Sequence, residues 1–297
     1  MSDDSAVPWP QIIFPTSPAA TQAIEDALFA SGAVSVMYQD EQDQPILEPA
    51  PGEVVLWNEI RLVGLYPQDT NLEAILDILK KLLGDPLPPH TLSTLADRQW
   101  ERVWMDDFKP QCFGPRLWVC PSHCDPVDPS AINIRLDPGL AFGTGTHPTT
   151  AQCLQWLGTH EPRGLQVVDY GCGSGILSVA AAMLGAAQVT AIDIDPQAIE
   201  ATRENARLNG VSERVFATAP TGDASPADVV LANILFQPLL DLAPELARLT
   251  RQGGDLVLSG LLGSQVEALK LRYNQYFTFH SSGLQDDWAV LHASRHG

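Results

Sequence analysis

Residues 167–176 read Val-Val-Asp-Tyr-Gly-Cys-Gly-Ser-Gly-Ile, and this stretch decides the fold of the chain. The apolar pair Val167–Val168 is typical of a buried strand, and three glycines alternate in the loop that follows. Because glycine has no Cβ, the backbone of such a loop can approach a ligand where the next helix begins. Ile176 occupies the position at which a dinucleotide-binding loop carries glycine or alanine, so the sequence disfavours NAD.

A second signal is Asp193, which ends the next predicted strand 22 residues after Gly171. An ionised carboxylate at that place can accept hydrogen bonds from both hydroxyls of a ribose. The alternative is that Asp193 only caps the end of the strand.

Strands and helices alternate from Gln166 onward, which predicts an α/β unit with a parallel sheet and helices on both of its faces. The predicted elements are strand Val167–Asp169, helix Ile176–Leu184, strand Val189–Asp193, helix Gln197–Leu208, strand Val229–Asn233, helix Pro238–Thr250 and strand Asp255–Ser259.

The front of the chain predicts a separate small domain of the order β-α-β-β-α-β, which is that of a ferredoxin-like α+β sandwich. Pro86–Pro89 suggests a boundary after it, and Thr94–Met105 has the apolar spacing of a connecting helix. We therefore expect a domain over residues 1–92, a linker helix and connecting segment over 93–120, and a second domain over 121–297.

The composition excludes several classes of protein. With 45% apolar residues, 18% charged residues and a mean hydropathy of −0.01, the chain is neither disordered nor a polytopic membrane protein. The uncharged run from Tyr170 to Ile192 is long enough to span a bilayer, but its glycines argue against a single helix.

The charge balance indicates the kind of partner. Lys and Arg number 17 and Asp and Glu 36, which gives a net charge of −19, and residues 1–95 alone carry 14 acids and 3 bases. Such a field repels nucleic acids and anionic lipids and attracts basic proteins. If a basic partner docks, we expect it to dock on the front domain.

The cysteines and the N-terminus favour a cytoplasmic protein. The five cysteines form no disulfide ladder, and the N-terminal residues have neither the basic nor the apolar region of a signal peptide. Cys120 and Cys124 flank His123, but no second ligand pair stands at the spacing of a zinc finger, so we expect no metal site.

Together, the Asp-x-Gly-x-Gly-x-Gly loop and the acid after the next strand resemble the class I S-adenosylmethionine-dependent methyltransferases. The resemblance implies a Rossmann-like sheet of seven strands whose last strand is antiparallel, with Tyr276–His280 and Trp288–His292 as the closing pair. It also implies that Gly171 and Gly173 lie beside the methionine part of the cofactor and that Asp193 holds its ribose. Asp169 would lie near the amino-acid portion of the cofactor, or alternatively would only brace the loop.

Three further segments resemble the bacterial ribosomal protein L11 methyltransferases. They are the loop Leu136–Thr150 (LDPGLAFGTGTHPTT), the motif Ala232-Asn233-Ile234-Leu235, and the pattern Trp104…Phe108-Lys109-Pro110…Gly114…Leu117-Trp118-Val119-Cys120-Pro121. The resemblance implies a monomeric enzyme that methylates amino groups of this ribosomal protein, on lysine side chains and at the N-terminal amine. It also implies that the front domain recognises the substrate.

The site residues follow from that resemblance. Thr150, Gly171, Asp193 and Asn233 would be cofactor contacts, and the segment Phe142, Gly143 and Thr144 would lie near the cofactor or the entering lysine. Two alternatives stay open at the end of the glycine- and threonine-rich loop: Thr150 could simply begin a helix, and His147 fits a hydrogen-bonding loop residue better than a base.

Two positions depart from the family pattern, and they bear on local loop packing only. His123 stands where an aromatic residue is expected, and Phe236 where a small residue is usual.

Asn233 is the candidate catalytic residue. Its carboxamide oxygen can accept a hydrogen bond from an attacking amine and so aim the lone pair of the amine at the methyl carbon. The alternatives for function are a class I methyltransferase that acts on another protein or on a small molecule, and a non-catalytic cofactor-binding adaptor.

Overall fold

The structure is a computed structural model, and it describes residues 8–42, 56–95, 109–122, 124–136 and 147–297. The chain divides into two compact units, Met1–Arg102 and Val103–Gly297, each with a buried core of its own. Among the described residues, no helix combines the length and the apolar character needed to cross a bilayer.

The first unit is an antiparallel sheet of four strands in the order β2-β3-β1-β4, with two helices. Its elements are β1 (Trp9–Thr16), α1 (Pro18–Ala30), β2 (Ser35–Asp40), β3 (Ile60–Leu65), α2 (Leu72–Leu83) and β4 (Thr91–Leu95). Leu28 of α1 and Leu79 of α2 are fully buried in one core with Ile12 and Leu62 of the sheet. The predicted ferredoxin-like order is confirmed.

The predicted bounds of the connecting segment differ from the boundary of the units. Strand β4 continues past residue 92 to Leu95, because its residues 91–95 pair with β1. Thr94 and Leu95 are therefore in a strand and not in the predicted helix, whose remaining residues lie outside the described part of the chain. The predicted segment 93–120 also contains two strands that belong to the second unit.

The second unit begins, within the described residues, with a small sheet of three strands. These are β5 (Gln111–Cys112), β6 (Leu117–Cys120) and β7 (Ile132–Arg135). Strands of two to four residues are too short for periodicity to reveal, so this sheet was not predicted.

The large sheet of the second unit has seven strands in the order β10-β9-β8-β11-β12-β14-β13. The elements of this part are α3 (Pro148–Thr159), β8 (Gln166–Tyr170), α4 (Ile176–Met183), β9 (Gln188–Ile192), α5 (Pro196–Leu208), β10 (Val215–Thr218), β11 (Ala227–Asn233), α6 (Phe236–Asp241), α7 (Ala243–Leu249), β12 (Thr250–Leu262), α8 (Val266–Tyr273), β13 (Phe277–Gln285) and β14 (Trp288–Arg295). Six of the seven strands run in the same direction, and β14 runs in the opposite direction, antiparallel to both of its neighbours, β12 and β13. The predicted class I methyltransferase fold is confirmed.

Three local predictions in this unit were incomplete. Strand β10 and helix α8 were not predicted, and the helix predicted over Pro238–Thr250 is divided into α6 and α7 at Leu242. Pro244 explains the division, because proline has no N–H to donate and its ring disfavours a continuous helix through the preceding turn. The uncharged run 170–192 is a strand end, a loop, a helix and a strand, as predicted.

Candidate active site

A cleft of about 500 Å³ opens at the carboxyl ends of β8, β9 and β11. The chain runs outward from β8 through β9 to β10, and it then returns to β11 on the other side of β8. A reversal of this kind leaves a crevice at the strand ends, which is where open α/β sheets bind ligands. The volume of the cleft is in the range of small-molecule sites.

The cleft has an acidic side and an apolar side, and no Lys, Arg or His is among the described residues that line it. The lining residues are Tyr170, Gly171, Gly173, Ile192, Asp193, Ile194, Asp195, Gln197, Ala198, Pro220, Ile234, Leu235, Pro238 and Leu242. Ile194 and Leu235 are 83% and 56% exposed. Uncovered apolar side chains at the wall of an acidic cleft suit a ligand with a flat apolar ring and hydroxyl groups.

The glycine loop between β8 and α4 needs its glycines for two reasons. Gly171, Gly173 and Gly175 have φ angles of 76°, 53° and 77°, a region that side chains disfavour. A Cβ on Gly171 would also collide with the side chain of Ile234, so the loop and the end of β11 can approach closely only without one. The backbone of the loop therefore forms one wall of the cleft.

Asp193 directly follows β9, lies on the acidic side of the cleft and is hydrogen-bonded to the glycine loop. Its Oδ2 accepts a hydrogen bond of 2.9 Å from the N–H of Gly173, and its Oδ1 accepts one of 3.0 Å from the N–H of Asp195. Each carboxylate oxygen can accept a second hydrogen bond, so the group remains able to hold two ligand hydroxyls. Asp193 also has the alternative role of a cap, because its carboxylate accepts hydrogen bonds from backbone N–H groups beyond the end of the strand.

Asp169, the first acid of the motif, is 1% exposed and does not line the cleft. Its Oδ2 accepts a hydrogen bond of 2.6 Å from the hydroxyl of Ser178 in α4, and its Oδ1 has no hydrogen-bond partner among the described residues. Burial raises the pKa of Asp169 to about 6, and the hydrogen bonds from Ser178 oppose that shift. These contacts are those of an acid that braces the loop, and its part in cofactor binding stays a prediction.

We expect Asp169→Asn to stabilise the protein at neutral pH. The pKa of Asp169 is about 6 in the folded state against 3.8 for the free group, so the folded state loses stability as pH rises from about 4 to 6. The raised pKa corresponds to a cost on the order of 3 kcal/mol above pH 6, and the neutral amide avoids part of it, because its oxygen still accepts from Ser178 while its NH2 takes the place of the Oδ1 without a partner. Urea unfolding at pH 5 and pH 7.5 should show the variant more stable, with the larger gap at pH 7.5. An equal gap at both pH values would contradict a buried ionised carboxylate.

Thr150 and Asn233 come together although 83 residues separate them. Asn233 ends β11 and is half-buried, and Thr150 lies in the first turn of α3 and is 4% exposed. The Nδ2 of Asn233 donates a hydrogen bond of 3.2 Å to the Oγ1 of Thr150. Ile234 and Leu235, the next two residues after Asn233, line the cleft, whereas neither Asn233 nor Thr150 is among its lining residues.

His147 caps the helix that carries Thr150. The N–H of Thr149 donates to its Nδ1 at 3.4 Å, the hydroxyl of Thr149 lies 2.8 Å from the same nitrogen, and the edge of its ring meets the ring of Trp288. Partial burial lowers the pKa of His147, which favours the neutral ring that a cap of this kind requires. The predicted role as a hydrogen-bonding residue of the loop agrees with these contacts, and α3 begins at Pro148 as predicted.

The remaining candidate residues fall outside the described part of the chain. They are Phe142, Gly143 and Thr144. His123, one of the two positions that depart from the family pattern, also lies outside the described part. Phe236 begins α6 and packs, half-buried, against the core on that face of the sheet.

Most residues of the apolar wall of the cleft were not predicted from the sequence. Pro220 follows the unpredicted strand β10, and Tyr170, Leu235 and Leu242 gave no signal as site residues. Ile194 directly follows Asp193, and its exposure, which suggests contact with a ligand, is visible only in the structure.

Comparison with protein families finds one that covers nearly the whole chain. The model of the ribosomal protein L11 methyltransferase family (PrmA) matches residues 8–296. A ribosomal protein L11 methyltransferase of Serratia proteamaculans is 47% identical over 293 residues, which are 97% of this chain and 100% of the relative. One of Ectopseudomonas mendocina is 46% identical over 287 residues, with 96% and 98% covered.

A solved structure is also similar. The crystal structure of a ribosomal protein L11 methylase from Lactobacillus delbrueckii subsp. bulgaricus is 33% identical and superimposes with a TM-score of 0.59, and the match covers 64% of this chain and 100% of that one.

Proposed function

Because the chain belongs to the ribosomal protein L11 methyltransferase family, we propose that it transfers methyl groups to amino groups of ribosomal protein L11. The acceptors are lysine side chains and the N-terminal amine. The observation that supports this most is the cleft at the ends of β8, β9 and β11, whose acidic and apolar sides suit a nucleoside and whose lining residue Ile234 directly follows Asn233.

S-adenosylmethionine is the cofactor, and it supplies an activated methyl group on a sulfonium. The residues of the cleft fit this molecule. Asp193 would hold the two ribose hydroxyls with the lone pairs its backbone contacts leave over, and the side chains of Ile194 and Leu235 would cover the adenine. Gly171 and Gly173 would admit the methionine part, because no Cβ stands between the loop and the ligand.

The chain's own contribution to the transfer is to orient the amine. The Oδ1 of Asn233 accepts a hydrogen bond from the entering amine and so directs its lone pair. A lysine amine has an ordinary pKa of about 10.4 and must first lose its proton, which desolvation favours. Because the Nδ1 of His147 is engaged by Thr149, we assign that proton to water and not to His147.

The acidic front unit would bind the substrate. Residues 1–95 carry 14 acids and 3 bases, and ribosomal proteins are commonly basic because they bind RNA. Charge complementarity of this kind speeds association and weakens as salt rises. A cytoplasmic location, where ribosomal proteins are found, remains the expectation from the sequence.

Mass spectrometry of purified ribosomal protein L11 tests the function. After incubation with the chain and S-adenosylmethionine, we expect its mass to rise in steps of one methyl group, with the added groups on amines. The same incubation with S-adenosylhomocysteine is the control. An unchanged mass, from a chain that calorimetry shows to bind the cofactor, would refute the proposed substrate.

We expect Asp193→Ala to weaken the binding of S-adenosylmethionine about 10- to 150-fold. Hydrogen bonds to a charged group contribute about 1.5–3 kcal/mol, and the alanine removes both ribose contacts. Isothermal titration calorimetry measures the change in Kd. The matched variant Asp193→Asn keeps one acceptor oxygen and should lose less. Unchanged affinity in a folded Asp193→Ala protein would remove this residue from the site.

A further inference from the structure

Thr202 is a polar residue of α5 that is fully buried against the glycine loop. Its Oγ1 donates a hydrogen bond of 3.2 Å to the carbonyl of Gly173 and lies 3.3 Å from the Sγ of Cys172. Because a thiol sulfur is a weak acceptor, the carbonyl of Gly173 is the main acceptor of the hydroxyl proton. Thr202 is not among the described residues that line the cleft, so its effect on a ligand must pass through the loop.

Helix α5 packs directly on the backbone of the loop and holds two of its carbonyls. A Cβ on Gly175 would lie 2.7 Å from the Oγ1 and the Cγ2 of Thr202, so Thr202 has little freedom to move. Asn205, the next residue on the same face of α5, donates from its Nδ2 to the carbonyl of Ser174 at 2.8 Å. Two consecutive carbonyls of the loop therefore accept hydrogen bonds from one helix.

Gly173 is held by side chains at both of its backbone polar groups. Its carbonyl accepts from Thr202, and its N–H donates to the Oδ2 of Asp193 at 2.9 Å. A glycine with a φ of 53° has no side chain that limits its conformation, so these two contacts fix the peptide groups on either side of it. If the contact with Thr202 is lost, Gly173 can rotate and its contact with Asp193 weakens. Thr202 is thus linked to the carboxylate of Asp193 through a single residue.

We propose that Thr202 is a positioning residue for cofactor binding: its hydroxyl fixes Gly173, and Gly173 holds the carboxylate of Asp193 in the orientation that accepts from the ribose. The inference rests on the proposed function, in which Asp193 is the ribose contact. The contacts of Thr202 lead to Asp193 and not to Asn233, so its effect falls on the Kd for the cofactor and not on the rate of transfer at saturation.

Two substitutions of Thr202 in the full chain test this role. Thr202→Val keeps the shape and removes the hydroxyl, whereas Thr202→Ser keeps the hydroxyl. By isothermal titration calorimetry, we expect the Kd for S-adenosylmethionine to rise about tenfold for valine and to stay within about threefold for serine. At saturating cofactor, the single-turnover rate with ribosomal protein L11 should stay within about threefold for both. Thermal melts establish that each chain is folded, and Thr202→Ala replaces the valine variant if that one is not.

A double-mutant cycle with Asp193→Ala shows whether the effect passes through Asp193. Once Asp193 is alanine, Thr202→Val should change the Kd less than about twofold further. An equal loss in both backgrounds, an unchanged Kd for Thr202→Val, or a serine variant that binds as weakly as the valine variant would each overturn the proposal.

The same measurements separate this inference from the proposed function. If the unsubstituted chain binds S-adenosylmethionine but does not methylate ribosomal protein L11, the proposed function fails, and the Kd values of the cycle still decide the role of Thr202. If it binds no S-adenosylmethionine, both fail. If it binds and methylates normally and only the Thr202 variants behave otherwise than expected, this inference alone fails.

Discussion

A chain that begins at residue 96 is expected to bind S-adenosylmethionine as the full chain does and to lose at least about 1000-fold in kcat/KM on ribosomal protein L11. All the described residues that line the candidate cofactor cleft belong to the second unit, from Tyr170 to Leu242, so the affinity for the cofactor should persist. The first unit carries the excess of acid that would attract a basic substrate. A loss of that size corresponds to about 4 kcal/mol of binding free energy, which is small for a protein interface.

The two units have separate buried cores, so the shorter chain can be tested as a folded protein. The buried cluster of the first unit contains residues from Ile12 to Leu79, and the two clusters of the second unit contain residues from Phe113 to Ala293; no described residue belongs to the clusters of both units. Calorimetry with S-adenosylmethionine and a thermal melt establish that the shorter chain is folded. Steady-state methylation of ribosomal protein L11 at low and high salt then measures the loss. Full activity of the shorter chain would refute the proposed division of labour.

The parts of the site that could be predicted are local in the sequence. The glycine loop and Asp193 each follow a buried strand directly, and the spacing between them is set by one helix and two short turns. Their contact, the hydrogen bond from Gly173 to Asp193, is therefore almost dictated by the β8-α4-β9 unit. The same holds for the front unit, where turn residues and apolar spacing determine each element.

The parts that could not be predicted depend on which strands become neighbours. Ile234 closes over Gly171 only because β11 pairs with β8 and not with β10, its predecessor along the chain. The apolar wall draws on residues after three different strands, and none of them is unusual in its own segment. For Asp169 the sequence left two roles open, a ligand contact and a brace of the loop, and its burial and its bond to Ser178 became visible only in the packed structure.

Replacement of Asn233 by Ala is expected to lower kcat about 100-fold while the Kd for S-adenosylmethionine changes less than about threefold. An interaction that aligns the nucleophile matters mainly in the transition state, and a 100-fold loss corresponds to about 2.7 kcal/mol.

The alternative role of Asn233 is structural: its side chain would only cap the carboxyl end of β11. Its Nδ2 does bond to Thr150, so a structural role would show first in stability or in cofactor affinity. Single-turnover rates at saturating cofactor, together with melts and calorimetry, separate the two. Asn233→Asp is the informative partner variant, because it keeps an acceptor oxygen and loses the donor to Thr150. It should retain more of the rate than the alanine variant does. An alanine variant that binds the cofactor normally and transfers methyl groups at the speed of the unsubstituted chain would show that Asn233 does not position the amine.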